Sequence, residues 1–314
     1  MTRIAIVGCV DYAMCGMRIS NAINSVIKDS AISIATIGRR QKYPGQRIEK
    51  SSKLVSATAK FLEGSTNPWV ILMEGDEGRG KRNKLIYNEL RNTLGDFRFG
   101  RLYVGSGFRS KSEKFLNMHR DQNTELCIVS PDSMHLIDDS ARFYPYLHTV
   151  AGLGLKRPSK TTLPIKICHS PSNVISKGTD TIEKIIMLQK RYFSLNFKII
   201  HGVPYSECLK QREGNHIFVG QLNKKVGGFG YSSVEAMAQG MVSMATRNNT
   251  PDKIWEDAGL KPPPVIDFSE SSLKELLSNI DKIQELREKS YDYVNYGQMS
   301  QSAAGSYYLS ILSK

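Results

Sequence analysis

A glycine-rich turn followed at once by a helical pattern is the segment of this sequence best suited to chemistry: GGFGYSSVEAMAQG, residues 227–240. Ser232 and Ser233 suit a helix cap or first turn, and Gly240 suits a helix end. Backbone N–H groups at such a turn bind anions such as phosphate, and the helix dipole adds to the attraction. Glu235 follows one turn later, where its carboxylate can accept a hydrogen bond from a sugar hydroxyl. The segment therefore predicts a site for the phosphates and ribose of a nucleotide; the alternative is a turn whose glycines only permit close packing.

The net charge of +13 predicts an anionic partner, because a basic surface attracts nucleic acid, an anionic membrane face or an acidic polymer. The alternative is a generally basic protein whose lysines are evenly spread. Basic residues do cluster, in the first half and near the middle of the chain. These clusters comprise Arg79, Lys81, Arg82, Lys84, Arg98, Arg101, Arg109, Lys111, Lys114, Lys156, Arg157 and Lys160.

The cysteines and histidines argue against a metal site. The five cysteines form no CxxC pair, and their odd number favours free thiols in a reducing compartment. The six histidines show no HExxH or paired spacing, so we expect no metal. The N-terminal run IAIVGCV is short and leads into Asp11, which indicates a first β-strand rather than a signal peptide. No apolar run approaches the length of a membrane span, and we expect a cytoplasmic protein, in the host cytoplasm if the protein is viral.

Strand and helix patterns alternate along the first half, which is typical of an α/β domain with a parallel sheet. The predicted elements are strands at 3–9, 31–38, 69–73, 101–109 and 125–130 and helices at 19–27, 52–62 and 84–94. Such domains bind ligands beyond the carboxyl ends of their strands. Asp76 follows the third strand, where an acid faces a ligand cleft or is an ordinary solvated loop residue. The first strand-loop-helix lacks GxGxxG spacing, so it does not predict a dinucleotide site.

Residues 150–164 are rich in glycine, proline and basic residues, and mark a domain boundary in this chain of 314 residues. A second α/β series follows. It has predicted strands at 164–170, 197–200, 216–221, 242–246 and 263–268 and helices at 180–192, 206–212, 271–289 and 291–312. We therefore place two Rossmann-like domains at 1–150 and 151–290, and expect residues 291–314 to form a C-terminal helix that packs back on the first domain.

Three segments of the second half resemble the donor-binding half of family 4 glycosyltransferases of the GT-B architecture: HSPSNVISKGTDTIEKI, KIIHGVPYSECL and VGQLNKKVGGFGYSSVEAMAQGMVSMA. In that family a strand ends in a His-x-Pro loop followed by Lys-Gly, and a glycine-rich turn precedes a helix bearing Glu-Ala-Met-Ala-x-Gly. The motifs occur in the same order over residues 165–246. The first half matches more loosely, through GSGFR at 105–109 and ARFYP at 141–145. The resemblance implies two Rossmann-like domains that face a central cleft, with the C-terminal helix crossing back to the first.

The resemblance also implies a role for each matching residue. Lys177 would hold the donor diphosphate, Glu235 would bind its ribose, and His169 would line the cleft floor. The alternatives are a solvated lysine, a helix-surface acid and a core histidine. The expected donor-binding residues are His169, Ser170, Lys177, Gly178, Val203, Gly227, Gly228, Phe229, Gly230, Tyr231, Ser232 and Glu235. The residues expected on the acceptor side are Gly8, Gly16, Arg18, Ser106 and Arg109.

The sequence departs from the family pattern at two positions. Gly227 stands where the family often has an acid that contacts the sugar, although Gln221 agrees with a subgroup that lacks this acid. Ser172 and Asn173 occupy the loop that often carries an arginine beside the lysine. Arg109 from the other domain would have to supply that second cation.

The implied chemistry is transfer of a sugar from a UDP- or GDP-sugar to an acceptor hydroxyl without a metal. The resemblance implies retention of configuration, with the leaving phosphate taking the acceptor proton. If the reaction inverts, Asp76 is the candidate base. We expect Lys177→Ala and Glu235→Ala to nearly abolish transfer while leaving the fold intact.

The acceptor is expected to be a glycan or another anionic molecule such as a membrane-surface lipid. Hydroxymethylated bases of DNA are the alternative acceptor, because they also fit the basic charge. Two competing hypotheses use the same residues differently. A non-catalytic nucleic-acid-binding protein would explain the charge but not the ordered motifs. A nucleotide-sugar epimerase of the same architecture would need acids in the cleft for ring chemistry.

Overall fold

The computed structural model describes residues 1–11, 14–36, 50–74, 80–104, 106–139, 141–150, 156–222 and 228–314. The predicted site residues Asp76 and Gly227 lie outside this part of the chain. Two compact units make up the protein. Unit 1 comprises Met1–Thr149 and Gln301–Lys314, and unit 2 comprises Val150–Ser300. The boundary that we place at residue 290 falls inside a helix of unit 2.

Unit 1 contains a sheet of six parallel strands in the order β2-β1-β3-β4-β5-β6. The strands are β1 Ile4–Gly8, β2 Ala31–Ala35, β3 Trp69–Glu74, β4 Arg98–Tyr103, β5 Leu126–Val129 and β6 Arg142–Pro145. The helices are α1 Cys15–Val26, α2 Ser51–Leu62, α3 Gly80–Leu94, α4 Ser106–Ser110 and α5 Ser112–Asp121, followed by a 3-10 helix, Pro131–Leu136. Every residue of β1, β3 and β5 is buried, as the continuous apolar runs predict for strands covered on both faces.

The strand predicted at 101–109 is wrong in extent, because β4 begins at Arg98 and ends at Tyr103. Pairing with β3 starts where Trp69 lies opposite Arg98, and this brings Phe99 into the core. Beyond Tyr103 the chain forms helix α4. That helix buries Phe108, whose ring stacks on Tyr103 with centroids 4.5 Å apart. The segment that we expect to be extended is therefore helical, and this helix buries Phe108 against the preceding strand.

The C-terminal helix of the chain, α13 (Gln301–Ser313), belongs to unit 1 and packs against α1. Gly305 permits this contact, since an added Cβ would lie 2.0 Å from the Ala22 carbonyl oxygen. The Tyr308 hydroxyl bonds the backbone of Leu147, and the Trp69 indole donates to Leu312 O at 3.1 Å. Helix α13 thus completes the hydrophobic core of unit 1.

Unit 2 contains a sheet of five parallel strands in the order β11-β10-β9-β7-β8. The strands are β7 Ile165–His169, β8 Leu195–Ile199, β9 Ile217–Val219, β10 Val242–Ala245 and β11 Val265–Asp267. The helices are α6 Val174–Lys177, α7 Thr179–Gln189, α8 Tyr205–Arg212, α9 Tyr231–Ala238, α10 Lys253–Glu256, α11 Glu270–Leu277 and α12 Ile280–Asn295. The core lies between this sheet and the apolar faces of α7, α11 and α12.

The single helix predicted at 271–289 is two helices, α11 and α12, separated at Ser278 and Asn279. Asn279 adopts an extended backbone conformation, and its side chain accepts a hydrogen bond from Lys282 N at 2.9 Å. This contact satisfies an N–H group at the start of α12 that a helix otherwise leaves unpaired. The periodicity of the apolar residues continues across the break, which is why the sequence pattern conceals it.

Candidate functional site

The glycine turn leads directly into α9 in unit 2, as predicted. Gly230 is the N-cap residue, and Ser232 and Ser233 lie in the first turn of the helix, one of the two places expected for them. Phe229 is buried, and its ring stacks on Trp255 with centroids 6.0 Å apart. This contact fixes the turn to the interior of unit 2. Helix α9 ends at Ala238, and Gly240 adopts a left-handed conformation with φ 72°.

Lys177 lies at the end of α6, immediately before a left-handed Gly178 with φ 72° that starts α7. Its ammonium donates a hydrogen bond of 2.5 Å to the side-chain oxygen of Gln221. The side-chain nitrogen of Gln221 in turn donates to the carbonyl of Gly228. The structure therefore brings the predicted lysine and the predicted glycine turn together within unit 2, connected by one buried carboxamide.

His169 ends β7 and is buried, with both ring nitrogens occupied by protein partners. Nδ1 lies 2.8 Å from Val219 O, and Nε2 lies 3.0 Å from the Thr179 hydroxyl. Because a carbonyl oxygen only accepts, Nδ1 carries the proton. Burial lowers the pKa of His169; the bond to Val219 opposes this, and the nearby Lys177 ammonium lowers the pKa further. This geometry is that of a core histidine that holds the ends of β7 and β9 together; contact with a ligand stays a prediction.

Glu235 is buried in α9, and both of its carboxylate oxygens are engaged. Oε2 accepts a 2.7 Å bond from the Arg212 guanidinium, and Oε1 accepts from the Tyr205 hydroxyl. Burial on its own would lower the pKa of Arg212, but the Glu235 carboxylate, together with the nearby Cys208 and Cys168, offsets this and leaves that pKa raised. Glu235 is therefore half of a buried ion pair, which the sequence does not predict. The expectation that Glu235→Ala leaves the fold intact conflicts with this geometry.

Two further predicted donor residues border the same end of the sheet. The Ser170 hydroxyl is shielded from solvent and makes no hydrogen bond with any described residue. Val203 packs against a small cluster that includes Cys168 and Met241. Tyr205 and Arg212, which bind Glu235, were not among the predicted residues. A basic residue in the last turn of a helix is ordinary, so nothing local marks Arg212 as buried.

Three of the candidates in unit 1, Gly8, Gly16 and Arg109, already make close packing contacts or an ion pair. An added Cβ would lie 2.9 Å from Met73 Cβ at Gly8, and 2.6 Å from Met73 Sδ at Gly16. Arg18 is buried. Arg109, the residue expected to supply the second cation, pairs with the Asp132 carboxylate at 2.6 Å. The side chain of Ser106 is not described. Acceptor-side roles for these residues stay predictions.

Asp11 controls the start of α1 in unit 1. Its two carboxylate oxygens accept hydrogen bonds from the backbone N–H groups of Gly16 and Met17, at 2.8 and 2.9 Å. Burial raises the pKa of Asp11, although these N–H bonds lower it in part. The N–H groups at the start of α1 are therefore bound by the chain's own aspartate, whereas the N-cap of α9 is a glycine, which has no side chain to do this.

Two features of the described residues bear on other functions. No cluster of three or more His, Cys, Asp or Glu residues in the described ranges is arranged to hold a metal ion. No helix in that part of the chain combines the length and apolar character needed to cross a bilayer. None of the five cysteines forms a disulfide, and of the five only Cys208 is not fully buried.

Solved structures of similar fold include glycosyltransferases. An alpha-glucosyltransferase in complex with UDP-glucose and DNA containing an abasic site matches with a TM-score of 0.65 and 12% identity, covering 100% of both chains. The apo form of the lipopolysaccharide outer core galactosyltransferase WaaB matches with a TM-score of 0.57 and 12% identity, covering 100% of this chain and 99% of that one. No protein-family model matches the sequence, and no curated protein matches it significantly.

These matches define the class of fold. Two parallel sheets with interleaved helices match GT-B structures over their full length, so the predicted α/β class and GT-B architecture are confirmed. The assignment to family 4 stays a prediction, since identities of this size show the fold alone.

Proposed function

We propose that this protein is a glycosyltransferase that uses a UDP-sugar donor, bound by unit 2, and an acceptor bound by unit 1. The observation that carries the proposal is the chain of hydrogen bonds from Lys177 through Gln221 to Gly228. It connects an ammonium group to a glycine turn that opens an α-helix whose N-cap is Gly230. A cation next to such a helix start is suited to a diphosphate.

The proposal of a UDP-sugar donor is supported by the fold and by solved structures of similar fold. The GT-B structures that match over the whole chain include an alpha-glucosyltransferase bound to UDP-glucose. In the proposed site Lys177 and the amides around Gly228 to Ser232 bind the diphosphate. The Glu235 carboxylate binds the ribose through Oε1, the oxygen that now accepts from the partly exposed Tyr205.

Transfer breaks the bond between the sugar C1 and the phosphate oxygen and forms a bond from C1 to the acceptor oxygen. The acceptor proton passes to the departing phosphate, so same-face attack with retention needs no separate protein base. Negative charge grows on the phosphate as the bond breaks. A charge-assisted hydrogen bond contributes about 1.5–3 kcal/mol, and loss of one such preorganised donor lowers the rate roughly a hundred- to a thousand-fold.

The acceptor is proposed to be anionic, because basic residues outnumber acidic residues in both units and the net charge is +13. Two acceptor classes are compatible with this charge: an anionic glycan, and DNA that carries hydroxymethylated bases. Solved structures of similar fold include an enzyme for each class: an alpha-glucosyltransferase in complex with DNA and a lipopolysaccharide outer core galactosyltransferase. Cysteines that form no disulfide fit action in the cytoplasm.

The proposal is tested by UDP-sugar turnover. The purified protein is mixed with UDP-glucose, UDP-galactose or UDP-N-acetylglucosamine and either hydroxymethylated DNA or an anionic glycan, and released UDP is measured. We expect Lys177→Ala to lower turnover about a hundred-fold or more. Lys184→Ala is the matched control, because Lys184 is exposed on the neighbouring helix α7, and it should behave as wild type. Equal turnover by Lys177→Ala and Lys184→Ala would refute the site.

Acceptor class is read from the same assay. Stimulation of UDP release by hydroxymethylated DNA, falling steeply with salt, identifies DNA as the acceptor. Stimulation by the glycan alone identifies the other class. Tight, salt-sensitive DNA binding by a protein that binds no UDP would instead support a non-catalytic DNA-binding protein.

A further inference from the structure

Gln221 connects two parts of the proposed donor site that lie far apart in the sequence. Its Oε1 accepts the 2.5 Å bond from the Lys177 ammonium, and its Nε2 donates to the Gly228 carbonyl. The side chain is buried, with the residue only 4% exposed. These partners fix its orientation, since only the amide oxygen can face an ammonium and only the amide nitrogen can face a carbonyl.

The backbone around Gln221 is tied to the same two neighbours. Leu222 N donates to Lys177 O at 3.1 Å, and Thr246 N donates to Gln221 O at 3.0 Å. Gly178 packs so closely on this segment that an added Cβ would lie 3.1 Å from Leu222 Cβ. The carboxamide therefore projects from a stretch that is itself fixed against the Lys177–Gly178 turn on one side and the end of β10 on the other.

We propose that Gln221 is a positioning residue, which sets the spacing between the Lys177 ammonium and the glycine turn so that one diphosphate can contact both. The inference rests on the proposed function and deepens it. A diphosphate needs both groups at one spacing, whereas a nucleoside without phosphates needs neither. Loss of the link should therefore weaken binding of the diphosphate and leave binding of the nucleoside unchanged.

Gln221→Glu is the sharpest test, because it keeps the shape of the side chain. It removes the N–H group that bonds Gly228 and adds a carboxylate that competes with the diphosphate for Lys177. Gln221→Met is the second variant, which keeps the length but removes both bonds. Binding of UDP and of uridine is measured by calorimetry for each protein, after thermal melting has confirmed that it is folded. For each protein, the UDP affinity divided by the uridine affinity gives the contribution of the diphosphate, and the ratio for each variant is compared with that for wild type.

We expect Gln221→Glu to lower UDP affinity roughly 10- to 100-fold, the range of a bond to a charged group, while uridine affinity changes less than about twofold. Gln221→Met should reduce the same ratio, and it decides the matter if Gln221→Glu does not fold. Gln239→Glu is the matched control: it loses a similar side-chain bond, 2.9 Å long, to Leu209 O at the opposite end of α9. Its UDP-to-uridine ratio should equal that of wild type.

Two results would overturn the inference in different ways. If wild type binds UDP and the folded Gln221 variants keep the wild-type ratio, or lose UDP and uridine affinity equally, Gln221 only supports the fold. If wild type binds no UDP, the proposed function fails, and the inference fails with it. The wild-type measurement therefore separates the two.

Discussion

Replacement of Glu235 by alanine should destabilise unit 2 strongly, quite apart from any effect on activity. The side chains of Glu235 and Arg212 are 3% and 2% exposed, and they pair at 2.7 Å. Without the carboxylate, the guanidinium stays buried with a 3.1 Å bond to the Ser232 carbonyl as its other described hydrogen bond. Leaving one charge of a buried pair uncompensated costs about 3–5 kcal/mol. We therefore expect the free energy of unfolding of unit 2 to fall by about this amount.

Urea unfolding measures this loss, because each unit contains one of the two tryptophans. A Trp69→Phe background leaves Trp255 as the reporter for unit 2. With a slope of about 1–3 kcal/mol per molar urea, the midpoint should fall by roughly 1 M or more. Glu183→Ala, an exposed acid on α7, is the control and should change stability by less than about 0.5 kcal/mol.

A double replacement separates the ion pair from other effects at the same place. In Arg212→Met combined with Glu235→Met, no charge is left buried, so most of the stability lost in Glu235→Ala should return. A loss below about 1 kcal/mol in Glu235→Ala would refute the buried pair, because that size is typical of exposed pairs. If the double variant is less stable than Glu235→Ala, uncompensated charge is not the cause of the loss.

Two further predictions concern unit 1. Burial, reinforced by the Arg18 charge, lowers the pKa of His148 from 6.5 to about 3, so His148 contributes stability that is complete above pH 6.5 and is lost as the pH falls. In urea unfolding, the stability of wild type relative to His148→Gln should therefore drop by up to about 2 kcal/mol between pH 6.5 and 5; a pH-independent difference would contradict the shift. Gly305→Ala should cost about 1–3 kcal/mol through overpacking on α1, whereas Ser306→Ala, exposed on the same helix, should melt like wild type.

The predictable parts of the site are those that local chemistry specifies. A glycine turn followed by helix-forming residues leaves little choice of structure, so the start of α9 was expected near its observed position. The Lys-Gly pair that joins α6 to α7 is predictable for the same reason. Its glycine, Gly178, adopts a left-handed conformation that other residues adopt only with strain. In both cases the residues that determine the conformation are neighbours in the sequence.

The partners of these residues could not be predicted in the same way, because they depend on pairing between distant elements. Arg212 lies in the last turn of α8, where a solvated base is usual, and only the packing of α8 against α9 buries it beside Glu235. His169 is similar, since its burial depends on β9 lying beside β7. The residue type at a motif position is therefore compatible with either a ligand contact or a structural contact. The side chains and strands that the fold places beside the residue decide between the two.

The starts of α1 and α9, each at the carboxyl edge of its sheet, differ in the charged groups that surround them. At α1 the N–H groups of Gly16 and Met17 are bound by the Asp11 carboxylate, so an incoming phosphate would meet a buried acid and lose its donors. At α9 the N-cap is a glycine, which has no side chain to cap the helix, and an ammonium is held beside the preceding turn. A carboxylate disfavours a second anion, whereas an ammonium and the positive end of a helix dipole favour one. This contrast supports the proposal that the diphosphate binds to unit 2.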